Sequence, residues 1–255
     1  LPIRHGKKGT AIRTASLSLI VLILFSCVPR KTFKIPSEEV TPSLLVQEIS
    51  FDDIATITGS AGIRIFDNEE YEAYLTGVMN YRKPNSLSVS VFGPFGVTVM
   101  KMLLADGFLE IYVPKKDTLY MTQLNVPFIL PDSKMLARYE KVIRETDDDF
   151  ILDLYDYENE KRVLRSRYYF DNETLINHRI DKYNSNSLVF SLVIDERTQD
   201  KIPSEFSVIA GKSRFEVTAK DLLANIDIPE KAFSHMKAPH VRPIQDFLRT
   251  LAPNQ

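Results

Sequence analysis

The stretch LSVSVFGPFGVTVMKM, residues 87–102, decides the fold. Before Gly93-Pro94-Phe95-Gly96, Leu87, Val89 and Val91 alternate with Ser88 and Ser90. After it, Met100, Met102 and Leu104 alternate with Val97, Val99 and Leu103, apart from Lys101. Two runs of period two joined by a Gly/Pro turn make a β-hairpin. The pattern continues outward. Further strands are expected over 61–67, 71–82, 86–93, 97–105, 108–113, 118–124, 149–157, 162–170, 175–183, 187–194, 204–210 and 213–220. In the last of these, Phe215, Val217 and Ala219 alternate with Arg214, Glu216 and Thr218, a strand with one wet face. Asp67-Asn68, Lys83-Pro84-Asn85, Asp106-Gly107, Asp171-Asn172 and Ala210-Gly211 supply the turns between strands. Connections this short suit an antiparallel meander rather than crossover helices, so a mainly β chain of the α+β class is expected.

Helices are few. Thr41-Pro42 has the form of an N-cap followed by proline at the first helical position. Leu44, Leu45, Ile49, Ile54 and Ile57 form a loose apolar side, and the helix is expected to stop by Gly59. Two more are expected over 132–145 (DSKMLARYEKVIRE) and 243–251, where Ile244, Phe247, Leu248 and Leu251 share a face.

Several strands are apolar on both faces. In 71–81, Tyr71, Ala73, Leu75 and Met79 lie on one side, with Tyr74 and Val78 opposite. Strand 187–194 (SLVFSLVI) behaves likewise. An antiparallel sheet with one solvated face does not need this. The second face either packs as plain core or lines an apolar cavity. The turn at Gly93-Pro94-Phe95-Gly96 raises a related choice. Its one sizeable side chain, Phe95, either folds back onto the sheet or projects as an apolar finger toward a membrane or partner.

Composition removes whole classes of function. The chain has 255 residues, 44% hydrophobic and 26% charged, ordinary values for a globular protein with a sizeable core. With 32 basic and 34 acidic residues there is no global electrostatic case for nucleic acid. One Cys permits neither an internal disulfide nor a Cys-based zinc site.

That Cys ends a processing signal. Arg4, Lys7, Lys8 and Arg13 precede the apolar run ASLSLIVLILF over 15–25, and no acid occurs before Glu38. The run is short for a membrane span and fits a secretory h-region. It leads into Leu24-Phe25-Ser26-Cys27, which resembles a bacterial lipobox, with Phe25 larger than usual at its position. The resemblance implies that residues 1–26 are removed and that Cys27 carries diacylglyceryl and N-acyl lipid. Removal takes away four cations and leaves 28 basic against 34 acidic residues, a charge of −6. Membrane contact is then expected from the lipid, not from charge. Val28, a non-Asp residue after the Cys, goes with the outer membrane in the enterobacterial rule. Residues 27–40 read as a polar tether with two prolines.

No catalytic constellation emerges. His178, His235 and His240 have no metal-ligand spacing, and no further cofactor is expected. Asp147-Asp148-Asp149 lacks the spaced pattern of a calcium loop, and Asp52-Asp53 reads as a polar helix face. There is no G-x-S-x-G, P-loop or G-x-G-x-x-G motif.

Residues 58–122 resemble the LolB-like members of the LolA/LolB-like superfamily. Gly59 to Phe66, Tyr71 to Tyr81 and Leu87 to Met102 follow that family's order and spacing. Gly93-Pro94-Phe95-Gly96 stands where the family has an Asn-Pro-Leu-Gly-like loop. The match is looser over 162–228, and the chain has no Trp, although familiar members have several. The resemblance implies an N-terminal helix and a curved half-barrel of about eleven antiparallel strands, with short helices covering the concave side. It implies a domain over 41–228 with a C-terminal extension over 229–255. It also implies acyl chains of lipid or lipoprotein as cargo, delivered by a LolA-like periplasmic carrier to an outer-membrane protein facing the periplasm. The acyl lining would include Leu75, Met79, Val89, Val91, Val99 and Met102. Gly93, Pro94, Phe95 and Gly96 would form the membrane-insertion loop. A monomer that is not an enzyme is expected. The alternative is a lipid-anchored scaffold or sensor using the same fold without lipid cargo.

Overall fold

A computed structural model describes residues 34–123, 130–184, 186–244 and 246–247. The signal over 1–26, Cys27, most of the tether, residue 124, Leu248 and Leu251 lie outside the described residues. Fourteen strands form one sheet. In chain order they are β1 (Thr56–Asp67), β2 (Glu70–Arg82), β3 (Ser86–Phe92), β4 (Thr98–Ala105), β5 (Phe108–Val113), β6 (Thr118–Gln123) and β7 (Glu140–Glu145). There follow β8 (Asp149–Glu158), β9 (Lys161–Asp171), β10 (Asn177–Asn184), β11 (Ser187–Arg197), β12 (Pro203–Ala210), β13 (Ser213–Ala224) and β14 (His240–Pro243). Their spatial order is β14-β6-β5-β4-β3-β2-β1-β13-β12-β11-β10-β9-β8-β7. Two meanders therefore meet where β1 pairs with β13, and the sheet is open and curved. Every ladder is antiparallel except β14 on β6, which is parallel.

Two α-helices, α1 (Pro42–Ile49) and α2 (Ser133–Ala137), lie over one face, called the inner face below. α1 begins where the sequence signals it. The Thr41 side chain accepts a hydrogen bond from the Leu44 N–H at 3.2 Å, and Pro42 occupies the first helical position. It buries Leu45 and Ile49 against Phe150, Leu152, Tyr168 and Phe170 of β8 and β9.

Two expectations are corrected. α1 ends at Ile49, not near Gly59, because Ser50 turns extended and Ile57 belongs to β1, where it is buried beside Tyr81. The helix expected over 132–145 is confined to α2. Residues 140–145 instead pair with β8, setting Ile143 opposite Leu152 on the inner face. Helical and extended periods both fit that stretch, and the free edge of β8 decides between them. The C-terminal stretch adds β14 ahead of helical Ile244 and Phe247, which fall within the helix expected over 243–251; residues 248–251 lie outside the described residues. The strands absent from the sequence reading, β7 and β14, are the two edges of the sheet.

Both-faced apolarity has two outcomes. On the outer face, Leu103 and Ala105 of β4 are buried under Ile228 and Phe233 of the segment after β13. That segment is held by an Arg82–Glu230 ion pair and by His235, whose Nδ1 lies 2.6 Å from buried Glu110. Bonding to Glu110, then to Asp106, raises the His235 pKa. Tyr74 and Val78 of β2, by contrast, stay exposed. The outer face of β7–β10 is a charge ladder. Asp153 lies 2.9 Å from Arg144 and 2.6 Å from Arg167, and Asp181 lies 2.9 Å from Arg179.

One inner-face residue is out of character. Lys182 of β10 is only 6% exposed. Its Nζ donates to Ser166 Oγ at 3.0 Å and Tyr168 Oη at 3.3 Å, and burial pushes its pKa down to about 7. Because the unfolded chain keeps the ordinary lysine value, it binds more protons than the fold between about pH 7 and pH 10.5. Stability attributable to this site therefore rises with pH across that window. Lys182→Met should stabilise the protein, by on the order of a few kcal/mol at or below neutral pH, with the gain shrinking toward pH 10. Urea unfolding of both proteins across that range measures it.

Candidate functional site

The Gly93–Val97 turn closes the β3–β4 hairpin by a Gly93 N–H bond to the Val97 carbonyl at 2.9 Å. Between them, the Gly96 N–H bonds the Gly93 carbonyl at 3.3 Å, with Phe95 outside helical geometry. Phe95 sits at φ +61°, and Gly96 follows at φ +72°. The left-handed region suits glycine and costs a side-chain-bearing residue about 1 kcal/mol. Phe95 is fully exposed and does not fold back onto the sheet. Gly93 is required for space: a Cβ there would lie 2.8 Å from Val99 Cγ1.

Below this tip the inner face is apolar. Pairing puts Leu75 opposite Ile63, Met79 opposite Val89, Val89 opposite Met102, and Val91 opposite Met100. Leu75, Met79, Val89, Val91 and Met102 therefore share one face. Val99 is the unpaired residue of a bulge, where the register shifts between Val91 and Phe92, so strand alternation does not place it. The same face continues through β13 and β12, where Val217 opposes Ile63 and Phe206, and Phe215 opposes Ile65 and Val208. The sequence reading stopped its candidate lining at β4. The alternation at Phe215, Val217 and Ala219 carried the signal for the rest, but no local feature shows that β13 returns to pair with β1.

Cover over this face is uneven. α1 and α2 bury it over β8–β10, and Phe51, Ile54 and Leu130 pack on Ile57 and Tyr81. Ile244 and Phe247 cover Ile111 and Tyr120, with Phe247 and Tyr120 rings 5.3 Å apart. Between these plugs, Ile63, Ile65, Leu75, Val208, Phe215 and Val217 are only half-buried. A narrow cleft beside this strip, lined by Ile49, Phe51, Leu130, Tyr168, Ile180 and Leu192, holds about 20 Å³. That is room for little more than one water.

Titratable groups do not converge on the strip. His178 bonds Asp149 at 2.7 Å and His235 bonds Glu110, both away from it. Among the described residues no group of three His, Cys, Asp or Glu side chains could hold a metal ion, and no helix is long and apolar enough to cross a membrane.

No family model and no curated protein matches the chain in sequence. Solved structures do match. A DUF1329 family protein from Desulfovibrio piger superposes with a TM-score of 0.56 at 15% identity, over 76% of this chain and 95% of that one. A LolA superfamily protein from Nitrosomonas europaea, NE2245, gives 0.54 at 12% identity, over 77% and 98%. A putative outer membrane lipoprotein-sorting protein domain from Vibrio parahaemolyticus gives 0.50 at 12% identity, over 75% and 95%.

The chain has the LolA/LolB-like fold. In this version of the fold the half-buried inner strip runs over β1, β2, β12 and β13, and the left-handed tip closes the neighbouring β3–β4 hairpin.

Phe95 combines full exposure with a left-handed backbone. Phe95→Gly should raise stability by about 0.5–1 kcal/mol through relief of the left-handed conformation. Thermal unfolding checks this; an unchanged or lowered midpoint would show that the Phe95 ring contributes to the fold.

Proposed function

We propose that this chain is an envelope lipoprotein, anchored by lipid on Cys27, that binds acyl chains on its inner face and passes them to the membrane. The observation that supports this most is the half-buried apolar strip lying beside the hairpin that carries the fully exposed Phe95. Burial of a methylene contributes about 0.8 kcal/mol, and an open strip that covers one side of a chain gains roughly half. Affinity would then come from several methylenes together and remain reversible, as delivery requires. Phe95 would place the cargo at the bilayer surface. The lipobox-like Leu24-Phe25-Ser26-Cys27 and Val28 support an outer-membrane anchor facing the periplasm, with a LolA-like carrier as donor. The role is binding and transfer rather than catalysis.

A form beginning at Val28 keeps every described element and suits the test. A fluorescent fatty acid should bind it saturably at micromolar concentration. Leu75→Glu, which sets a carboxylate against hydrocarbon, should weaken binding by about tenfold or more with circular dichroism unchanged. Phe95→Glu should keep binding and lose transfer of bound lipid to vesicles. A well-folded protein that never binds alkyl chains would sink the carrier reading and favour a lipid-anchored scaffold.

A further inference from the structure

Exposed apolar side chains are not spread evenly along the strands. Pairing registers place six turns at the sheet end that carries Phe95: β1–β2, β3–β4, β5–β6, β8–β9, β10–β11 and β12–β13. Five of them hold an exposed large apolar residue of their own: Tyr71, Phe95 with Val97, Tyr157, Leu188 with Val189, and Ile209. The sixth is flanked by exposed Val241 at the start of β14. Among the described residues, the exposed large apolar ones at the opposite end are fewer: Phe108, Ile176, Leu223 and Ile226.

We infer that this whole rim, and not the Phe95 loop alone, is a contact surface for the headgroup region of a lipid bilayer. The inference rests on the reading of Phe95 as a membrane-facing tip and extends it to the far half of the sheet. Three observations favour a bilayer over a protein. The apolar residues stand one or two to a turn, and successive turns are about 10 Å apart across two strand spacings. A protein interface needs a contiguous dry centre, whereas a planar boundary of headgroups and chains accepts separate fingers. Two of the residues, Tyr71 and Tyr157, are amphipathic rings of the kind that settle at such a boundary. Charge at the rim is mixed, with Lys115, Lys116 and Lys212 set among Glu69, Glu70 and Glu160. The contact is therefore driven by apolar insertion and does not need anionic lipid. Such a rim would hold the sheet end against the surface, so that cargo leaving the inner strip meets lipid directly.

The chain has no Trp, so a single introduced Trp is a clean reporter. Full-length Phe95→Trp, Leu188→Trp and Ile176→Trp are each reconstituted with phosphatidylcholine vesicles, some of whose lipids carry bromine on the acyl chains. Leu188 and Ile176 are matched in exposure, at 52% and 55%, but lie at opposite sheet ends. Quenching of the Phe95 and Leu188 reporters by about twofold or more, with Ile176 unquenched and the result unchanged in high salt, is the expected outcome. Quenching at Phe95 alone would overturn the rim and leave the single-loop reading standing. No quenching at either would overturn both. Equal quenching at Ile176 would overturn the sidedness on which the rim depends.

Discussion

The pairing of β1 with β13 is the constraint on which the rest depends. It joins Ile57 to Ala224 at one end and Asp67 to Ser213 at the other. These residues are far apart in sequence, and the closure cost of so long a loop rises only slowly with its length. The pairing turns two meanders into one sheet and removes two internal edges. It also sets the register for both halves, because a one-residue slip would send every inner side chain outward. The bulge between Thr58 and Ser60 absorbs the mismatch. Gly59 sits in it where a Cβ would lie 2.7 Å from Leu222 Cδ2.

Once one inner face exists, its cover decides what each half does. The β7–β10 half is filled by α1 and α2 and carries a tight ladder of charges outside. Among the described residues, the central strands are covered at their margins, by Phe51, Ile54 and Leu130 on one side and by Ile244 and Phe247 on the other. Rigid packing and an accessible apolar surface are thus divided between two parts of a continuous sheet. Lys182 shows that even the packed half tolerates a charge-bearing group when two hydroxyls face it.

Phe95 concentrates two unfavourable choices in one residue: a left-handed backbone and a ring in water. Neither helps the fold, and glycine at position 95 itself would suit the turn better. The solved structures that match, at 12–15% identity, share this chain's architecture.

Much of this was legible in the residues. Alternation around Gly93–Gly96 and at Phe215–Ala219 named strands and their faces, because side-chain direction in a strand follows from period alone. Thr41-Pro42 named a helix start, because capping is local chemistry. Edges were not legible: residues 140–145 and 240–243 become strands only because β8 and β6 offer unpaired backbone. Nor was the extent of the inner strip, which needs β13 beside β1, or the gathering of Tyr71, Phe95, Leu188 and Ile209 at one rim. The sequence by itself determined the strands, the turns and the tip, which depend on neighbours a few residues away. Tertiary structure alone decided which apolar faces were covered and which left bare, because cover comes from segments distant in the chain.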